Sequence, residues 1–440
     1  MLKEMIANKE FQASYKQQSK DFVRQRVLTF PKVVVGLINL MNRSLAVELA
    51  KLLQVLDGLS ASFCSKQAFS KQRQKLKPAA FVALNNALLE QFYADTTGVK
   101  TFGNFLLLAI DGSTLQLPES KDLIREYGRA ANQESSMPMA RCSLLYDILN
   151  KLSLEAILAP YCSDERSLAW QHLEFLVKHP SGNGRPLLLL FDRGYPSIAL
   201  IAYLQVQGIF FVIRVKEKNF MQEVADFAAS GKQQQVLDLD LGTSKRKNNQ
   251  QLQEALKQLD KATLKVRALA IELPTKEKEY LLSNLLDEQS YDRDFFSVVY
   301  QMRWGIETQY GFDKTLLEIE NFSAKTVTGV EQDFHASVLC SNILALVNAD
   351  AGEQLEKQAQ LRAQQGKVSK QVYQVNRAVS LGLMKDEIAA MLFGSQPLEE
   401  TYERLLAKII RNKSCSKPDR HYSRKRKRPR KPKINRRRPT

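Results

Sequence analysis

Apolar and polar positions divide this chain into stretches of different texture. Through residues 1–95 apolar side chains recur at helical intervals. Val33, Val34, Leu37, Ile38 and Leu40–Met41 form one stripe, and Leu45, Val47, Leu49, Leu52, Leu53, Val55 and Leu56 continue it between charged residues and glutamines. This spacing predicts a helical N-terminal region. In the stretch Ser62–Lys77, serines able to cap a helix precede Lys66, Lys71, Arg73, Lys75 and Lys77. Two readings stand side by side: a helix-turn-helix that presents Arg73 and Lys75 to DNA, and a solvated amphipathic helix.

The texture changes near residue 100. Asn104–Pro118 is a continuous apolar run into Asp-Gly, the pattern of a strand buried on both faces. Met139–Asn150 and Lys151–Pro160 predict an antiparallel pair turning at Asn150-Lys151. Ser163–His179 reads as a helix capped by Ser163, and Arg185–Ser197 as another buried strand, ending in Asp-Arg-Gly. A helix closed by Gly208 and a strand over Ile209–Lys216 follow. The order β-β-β-α-β-α-β predicts an α/β fold with a mixed sheet and flanking helices.

Residues 217–280 interrupt this order with strands at Gln235–Leu241 and Leu264–Pro274 around a basic loop, and Glu279–Asp287 returns as a strand. Tyr291–Glu320 reads as one long helix, and a second apolar helix runs from about Val330 to Val347. Residues 350–375 suit a solvated helix or linker, and two amphipathic helices precede the end of the chain. The expected division is a helical, DNA-binding 1–95; a core in two parts, 96–216 and 281–348; a β-rich insertion, 217–280; a helical 349–410; and a basic, disordered tail, 411–440.

Composition sharpens the picture at one place. Hydrophobic residues make up 44% and charged residues 25% of the 440, as in ordinary globular proteins. The formal charge is +17, yet residues 411–440 hold 15 Lys/Arg against one acid, so +14 of it lies in the tail. A near-neutral body with a polycationic end implies a polyanionic partner, nucleic acid first and an acidic membrane surface second. Five scattered cysteines without a CxxC pair suit a reducing compartment and argue against a zinc site. With neither an apolar signal core nor a run long enough to span a bilayer, the expected setting is cytoplasmic, at the nucleoid.

The candidate chemistry begins with two aspartates at the ends of buried strands, Asp111 in AIDGST and Asp192 in LLFDRGY. Each alone is equally a turn former. Tyr300, Arg303, Glu307 and Lys314 stand at i, i+3, i+7 and i+14, which at about 100° per residue puts all four on one helical stripe. Beside apolar Phe295, Phe296, Val298 and Val299, a polar stripe suits a helix that packs on the sheet and turns the stripe toward the aspartates. The four histidines do not cluster in sequence. Ser113 and Thr114 follow Asp111 without the partners of a serine hydrolase.

Tyr300-x2-Arg303-x3-Glu307-x6-Lys314 resembles the Y-R-E-K signature of bacterial insertion-sequence DDE transposases, and Asp111 and Asp192 resemble that family's two aspartates. The order D…D…E is the family's, with spacings of 81 and 115 residues. The N-terminal stretches Asp21–Leu45 and Ser65–Leu76 are also similar. The resemblance implies a ribonuclease H-like core interrupted by a β-rich insertion. It implies Asp111, Asp192 and Glu307 as the catalytic, metal-binding acids, which hold two ions of magnesium or manganese as their oxygen-only chemistry also suggests. It implies cleavage at transposon ends by water and strand transfer to target DNA by the freed 3′-hydroxyl. Tyr300, Arg303 and Lys314, with Arg193 and Tyr195 as weaker candidates, are implied to hold phosphates. The implied partners are transposon terminal inverted repeats and target DNA, with a homodimer on paired ends and no membrane.

Relatives that pass through a hairpin on the transposon end stack a flipped base on a tryptophan of the insertion. This chain has only Trp170 and Trp304, both outside 217–280, and Phe220 or Phe227 would have to substitute. Two alternatives remain beside transposition: a metal-dependent nuclease of the same fold, and a catalytically idle DNA-binding protein.

Overall fold

The computed structural model describes residues 1–416 except 25, 40–43, 59–62, 96, 132–135, 180–183, 218–219, 241–252, 255–256, 258–262, 273–275, 368–370 and 395. The expected basic loop at 242–251 and most of the tail therefore lie outside the described residues.

Nine strands form one mixed sheet. They are β1 (Leu106–Gln116), β2 (Arg129–Ala131), β3 (Ser136–Asp147), β4 (Leu152–Pro160), β5 (Leu187–Phe191), β6 (Phe210–Val215), β7 (Gln234–Asp240), β8 (Thr263–Glu272) and β9 (Lys278–Ser283). The order across the sheet is β2-β3-β1-β5-β6-β9-β8-β7, with β4 paired to β3. β1, β5 and β6 run parallel at its centre. β3 and β4 turn back on each other through Asn150-Lys151 as expected, with Lys151 in the left-handed region at φ 59°.

The continuous apolar runs are explained by burial on both faces. Leu106, Leu108 and Ile110 of β1 pack with α6 (Ala79–Ala94), α8 (Glu165–Lys178) and α9 (Ile198–Val206). Leu107 and Ala109 enter the opposite layer, with Leu188, Leu190 and Val212. Helices α11 (Arg293–Met302) and α12 (Trp304–Thr315) cover that second face through Phe296, Val299, Ile306 and Tyr310. Each leucine so buried contributes about 1.5–3 kcal/mol relative to exposure.

The residues expected as a β-rich insertion, 217–280, hold helix α10 (Gln222–Ala229) and the strands β7 and β8, which extend the edge of the sheet through β9, itself paired with β6 (Val212 opposite Ser283). Two expectations are corrected. The helix expected over Tyr291–Glu320 is two helices meeting at Arg303, because the main chain tightens there to i→i+3 bonds. The N–H of Ile306 donates to the carbonyl of Arg303, and that of Arg303 to the carbonyl of Tyr300. Finally, Asp164 and not Ser163 caps α8, its carboxylate accepting from the N–H of Ser167 (3.2 Å).

The N-terminal helices α1 (Leu2–Ala7), α2 (Lys9–Tyr15), α3 (Phe30–Ile38), α4 (Leu45–Asp57) and α5 (Lys66–Arg73) do not form a core of their own. Val33, Val34, Leu37, Leu49 and Leu52 share one apolar cluster with residues from the other end of the chain. These are Leu339, Leu344 and Val347 of α13 (Val327–Gln364), Met384 and Ile388 of α14 (Arg377–Phe393), and Leu405 and Ile409 of α15 (Leu398–Arg411). Of the two readings of 350–375, a solvated helix or a linker, the first holds through Gln364: helix α13 carries on unbroken, its last turns exposed. Among the described residues no helix is long and apolar enough to cross a membrane.

Candidate active site

The parallel pairing of β1 and β5 determines where the aspartates stand. Ala109 is opposite Leu190, and two residues further along each strand come Asp111 and Asp192. Alternation along β1 turns Asp111 toward the face that also takes Leu107 and Ala109, the face covered by α11 and α12. Glu307 lies in the first turn of α12, directly after the junction at Arg303. Three elements remote in sequence thus meet at one end of the sheet.

Helix α12 is stitched to β1 along the length of AIDGST. The Tyr310 hydroxyl donates to the Asp111 carbonyl (2.8 Å). The Lys314 ammonium donates to Ser113 Oγ and to the Thr114 carbonyl, both at 2.7 Å. Beyond the helix, Glu320 Oε1 accepts from the N–H of Gln116 at the end of β1 (3.0 Å). Lys314 is only 7% exposed, so the structure gives it an architectural position, holding the strand that carries Asp111. Asp111 itself accepts from the N–H of Gly112 at 2.9 Å.

The electrostatics centre on Arg303, which is buried and bridges Glu307 at 3.0 Å. Burial pushes the Asp111 carboxyl up to about 6; Glu307 and Glu165 add to the rise, while the Gly112 N–H and Arg303 oppose it. Burial works to lower the pKa of Arg303, but Tyr300, Asp192 and Glu307 together raise it. One guanidinium is therefore coupled to all three expected acids. Among the described residues no three His, Cys, Asp or Glu side chains stand close enough together to hold an ion. Several buried donors around the acids lack partners in turn: the Tyr195 and Tyr300 hydroxyls and the Nε of Arg303 and Arg141. Burial raises both tyrosines above the usual phenol range, and Asp192 contributes to each.

Two features escaped the sequence reading. Glu165, in the first turn of α8, is a fourth carboxylate at the site. It is held by Arg141 Nη1 at 2.6 Å and lies so close to Gly112 that a Cβ there would stand 3.1 Å from it. Its signal was the Gly of Asp-Gly, where the backbone needs room for a neighbour. Behind β1, fully buried His172 bonds Glu155 through Nδ1 (2.7 Å) and Ser143 Oγ through Nε2 (2.9 Å). Ser143 Oγ lies 3.3 Å from the Asp111 carbonyl. This chain of polar groups joins four elements, β4, α8, β3 and β1, whose spacing in sequence shows no pattern.

Other expected site residues are placed differently. Arg193 is exposed beside Asp192, whereas Tyr195 is buried against Phe191. Arg73 is corrected outright: it is 1% exposed and its guanidinium is consumed inside the protein. It donates to Gln332, Ser323, the Gly329 carbonyl and Asp333 at 2.6–2.8 Å, so no face is left for a base edge. Lys75 remains half-buried, with its ammonium on Gln72 Oε1 (3.0 Å). Phe227 is buried against Tyr280 and Trp170 packs on Tyr203, while Phe220 is partly buried against the core. Trp304 is 45% exposed at the junction, under the Arg303 guanidinium and three residues from Glu307.

Residues 104–343 match the model of a family described as "Transposase DDE domain". No curated protein matches the chain in sequence. A cryo-EM structure of a piggyBac transposase synaptic complex with hairpin DNA is similar over 93% of this chain and 84% of its own. The identity is 11% and the TM-score 0.45. The matched family region spans more than half of the 440 residues and takes in Asp111, Asp192 and Glu307 with the sheet that gathers them. The protein belongs to the transposase DDE domain family, DNA transposases that generally work with divalent metal ions.

Proposed function

We propose that Asp111, Asp192 and Glu307 are the catalytic carboxylates of this transposase, and that they hold two ions of magnesium or manganese. The observation that supports the reading is geometric: Asp111 and Asp192 follow paired residues of neighbouring parallel strands, and the helix whose first turn holds Glu307, bridged by Arg303, is bonded to the Asp111 carbonyl through Tyr310. The donors suit such an ion in kind, being all oxygen, although the three carboxylates stand apart without it; the upward push on Asp111 from burial, Glu307 and Glu165 is what a cation drawing them together would relieve. When bound, the metal supplies Lewis-acid activation of the attacking and leaving oxygens. The chain's own residues supply the frame. Tyr310 and Lys314 fix the backbone on either side of Asp111, and Arg303 and Tyr300 offer buried donors, without protein partners, to a phosphodiester at the acids.

On this reading the protein cleaves at transposon terminal repeats and transfers the freed strand to target DNA, as a homodimer on paired ends at the nucleoid. The helical region 1–95 and the basic tail 411–440 supply DNA affinity. The test is cleavage of a plasmid that carries the gene with its flanking DNA, in magnesium or manganese. Asp111→Asn, Asp192→Asn and Glu307→Gln should each abolish cutting and leave DNA binding nearly intact, because basic surfaces and not the acids provide affinity. Full cutting by any one variant would overturn the assignment of that residue.

A further inference from the structure

A groove of about 950 Å³ opens in the N-terminal region, between the segment 20–28 and the start of α5. Its size matches the cavities that enclose small ligands, roughly 300–1,000 Å³. Three of its lining side chains, Lys20, Arg24 and Arg26, are exposed cations, and Lys75 stands at its wall. Its one acid, Asp21, is turned inward, 7% exposed and accepting from the N–H of Gln18 (2.9 Å). Among the described residues none of the three exposed cations forms an ion pair. At the rim stands Phe63, 83% exposed, facing the same groove as Val23, 65% exposed. An exposed phenyl ring has no structural reason to stand in a cationic groove, and it loses apolar stabilisation there.

The groove's far wall is not loose. Ala68 and Gln72 belong to α5, and Gln72 is pinned between the Leu28 carbonyl and Lys75. Helix α5 ends in Arg73, whose four buried bonds tie it to residues 323–333. A rigid wall, a row of free positive charge and an upright aromatic face form the combination that binds unpaired nucleic acid: cations follow the backbone, and any base can stack on the ring.

We propose that this groove binds single-stranded or locally unstacked DNA, with a base on Phe63 and phosphates on Lys20, Arg24 and Arg26. The inference rests on the family's DNA substrate and not on the assignment of the carboxylates. A duplex keeps its bases stacked and presents no face to Phe63, so the groove discriminates for melted DNA. That is a property no base-edge reader would show.

The test uses the full chain with a fluorescent oligothymidylate and, separately, a duplex of equal length, titrated at several salt concentrations. Phe63→Ala should weaken oligothymidylate binding by about 5- to 150-fold, the range for one stacked base, and leave the salt slope and duplex binding unchanged. Phe63→Trp should restore or exceed the parent affinity. The double variant Arg24→Gln with Arg26→Gln should instead flatten the single-strand salt slope by about 1.4. Ultraviolet crosslinking with 5-iodouracil in the oligonucleotide should label the peptide containing Phe63. Binding is measured in EDTA, with no cleavage readout, so that failure here and failure of the carboxylate assignment are told apart. Phe63 is exposed enough for the alanine variant to fold. Unchanged single-strand affinity in Phe63→Ala, or equal loss for duplex and single strand, would overturn the proposal. Loss of self-association without loss of DNA binding would do the same, and would mark the ring as a protein contact.

Discussion

Removing the charge of Asp111 should make the protein more stable. The carboxyl sits at about 6 instead of the ordinary 3.8, so the folded state carries an unfavourable charge at neutral pH. At about 1.36 kcal/mol per pKa step the ceiling is about 3 kcal/mol. Solvent reaches part of the side chain, which reduces the expected gain to about 1–2 kcal/mol. Asp111→Asn keeps the acceptor for the Gly112 N–H while removing the charge. The sign follows from linkage. Between pH 3.8 and about 6 the folded state binds the extra proton, so parent stability falls as pH rises through that window. The gap between variant and parent should be full above pH 7 and vanish below pH 4. Urea unfolding at a series of pH values measures it. Added magnesium or manganese should close the gap at pH 7.5 by stabilising the parent alone. A variant less stable than the parent at pH 7.5, or a gap independent of pH, would refute the reasoning.

Other substitutions follow from the same contacts. Arg73→Ala leaves Asp333 and Gln332 without their buried partner and should cost about 3–5 kcal/mol in urea unfolding, whereas a DNA reader at that position would lose affinity and not stability. Lys314→Met should slow single-turnover cleavage at least about tenfold with DNA affinity unchanged, since it frees Ser113 and Thr114 beside Asp111. Weaker binding with normal cutting of bound DNA would show instead that Lys314 holds phosphate. His172→Phe should destabilise by about 2–5 kcal/mol, because it strands both Ser143 and Glu155, and calorimetry reads the loss.

Asp111 and Asp192 were legible because doubly buried parallel strands leave unbroken apolar runs, and the first polar residue after such a run marks where the parallel pairing stops; β1 itself continues past Asp111 to Gln116, paired with β3. Helix α12 was legible from its offset charges. Its break from α11 was not, because Arg303 has the dihedral angles of a helix and only the hydrogen-bond pattern changes there. Sheet order beyond β6 depends on pairing with β9, some 70 residues on, and no local pattern encodes that partner. Arg73 illustrates the general limit. A lysine- and arginine-rich helix reads as a solvated or DNA-facing surface until a residue 260 positions away proves to be its counter-ion. Glu165 was hidden for a similar reason: a first-turn acid at a helix start has an ordinary explanation that conceals its proximity to Asp111.

The core shared by the two ends of the chain has a consequence for biosynthesis. Val33, Val34 and Leu37 leave the ribosome early, but their partners Leu405 and Ile409 come last. At about 5–20 residues per second, some 20–70 s pass before that core can close. During this interval the N-terminal helices expose their apolar faces to chaperones and proteases. A premature stop anywhere before residue 400 therefore leaves those helices unfinished, even where every residue of the sheet and its carboxylates has already been translated.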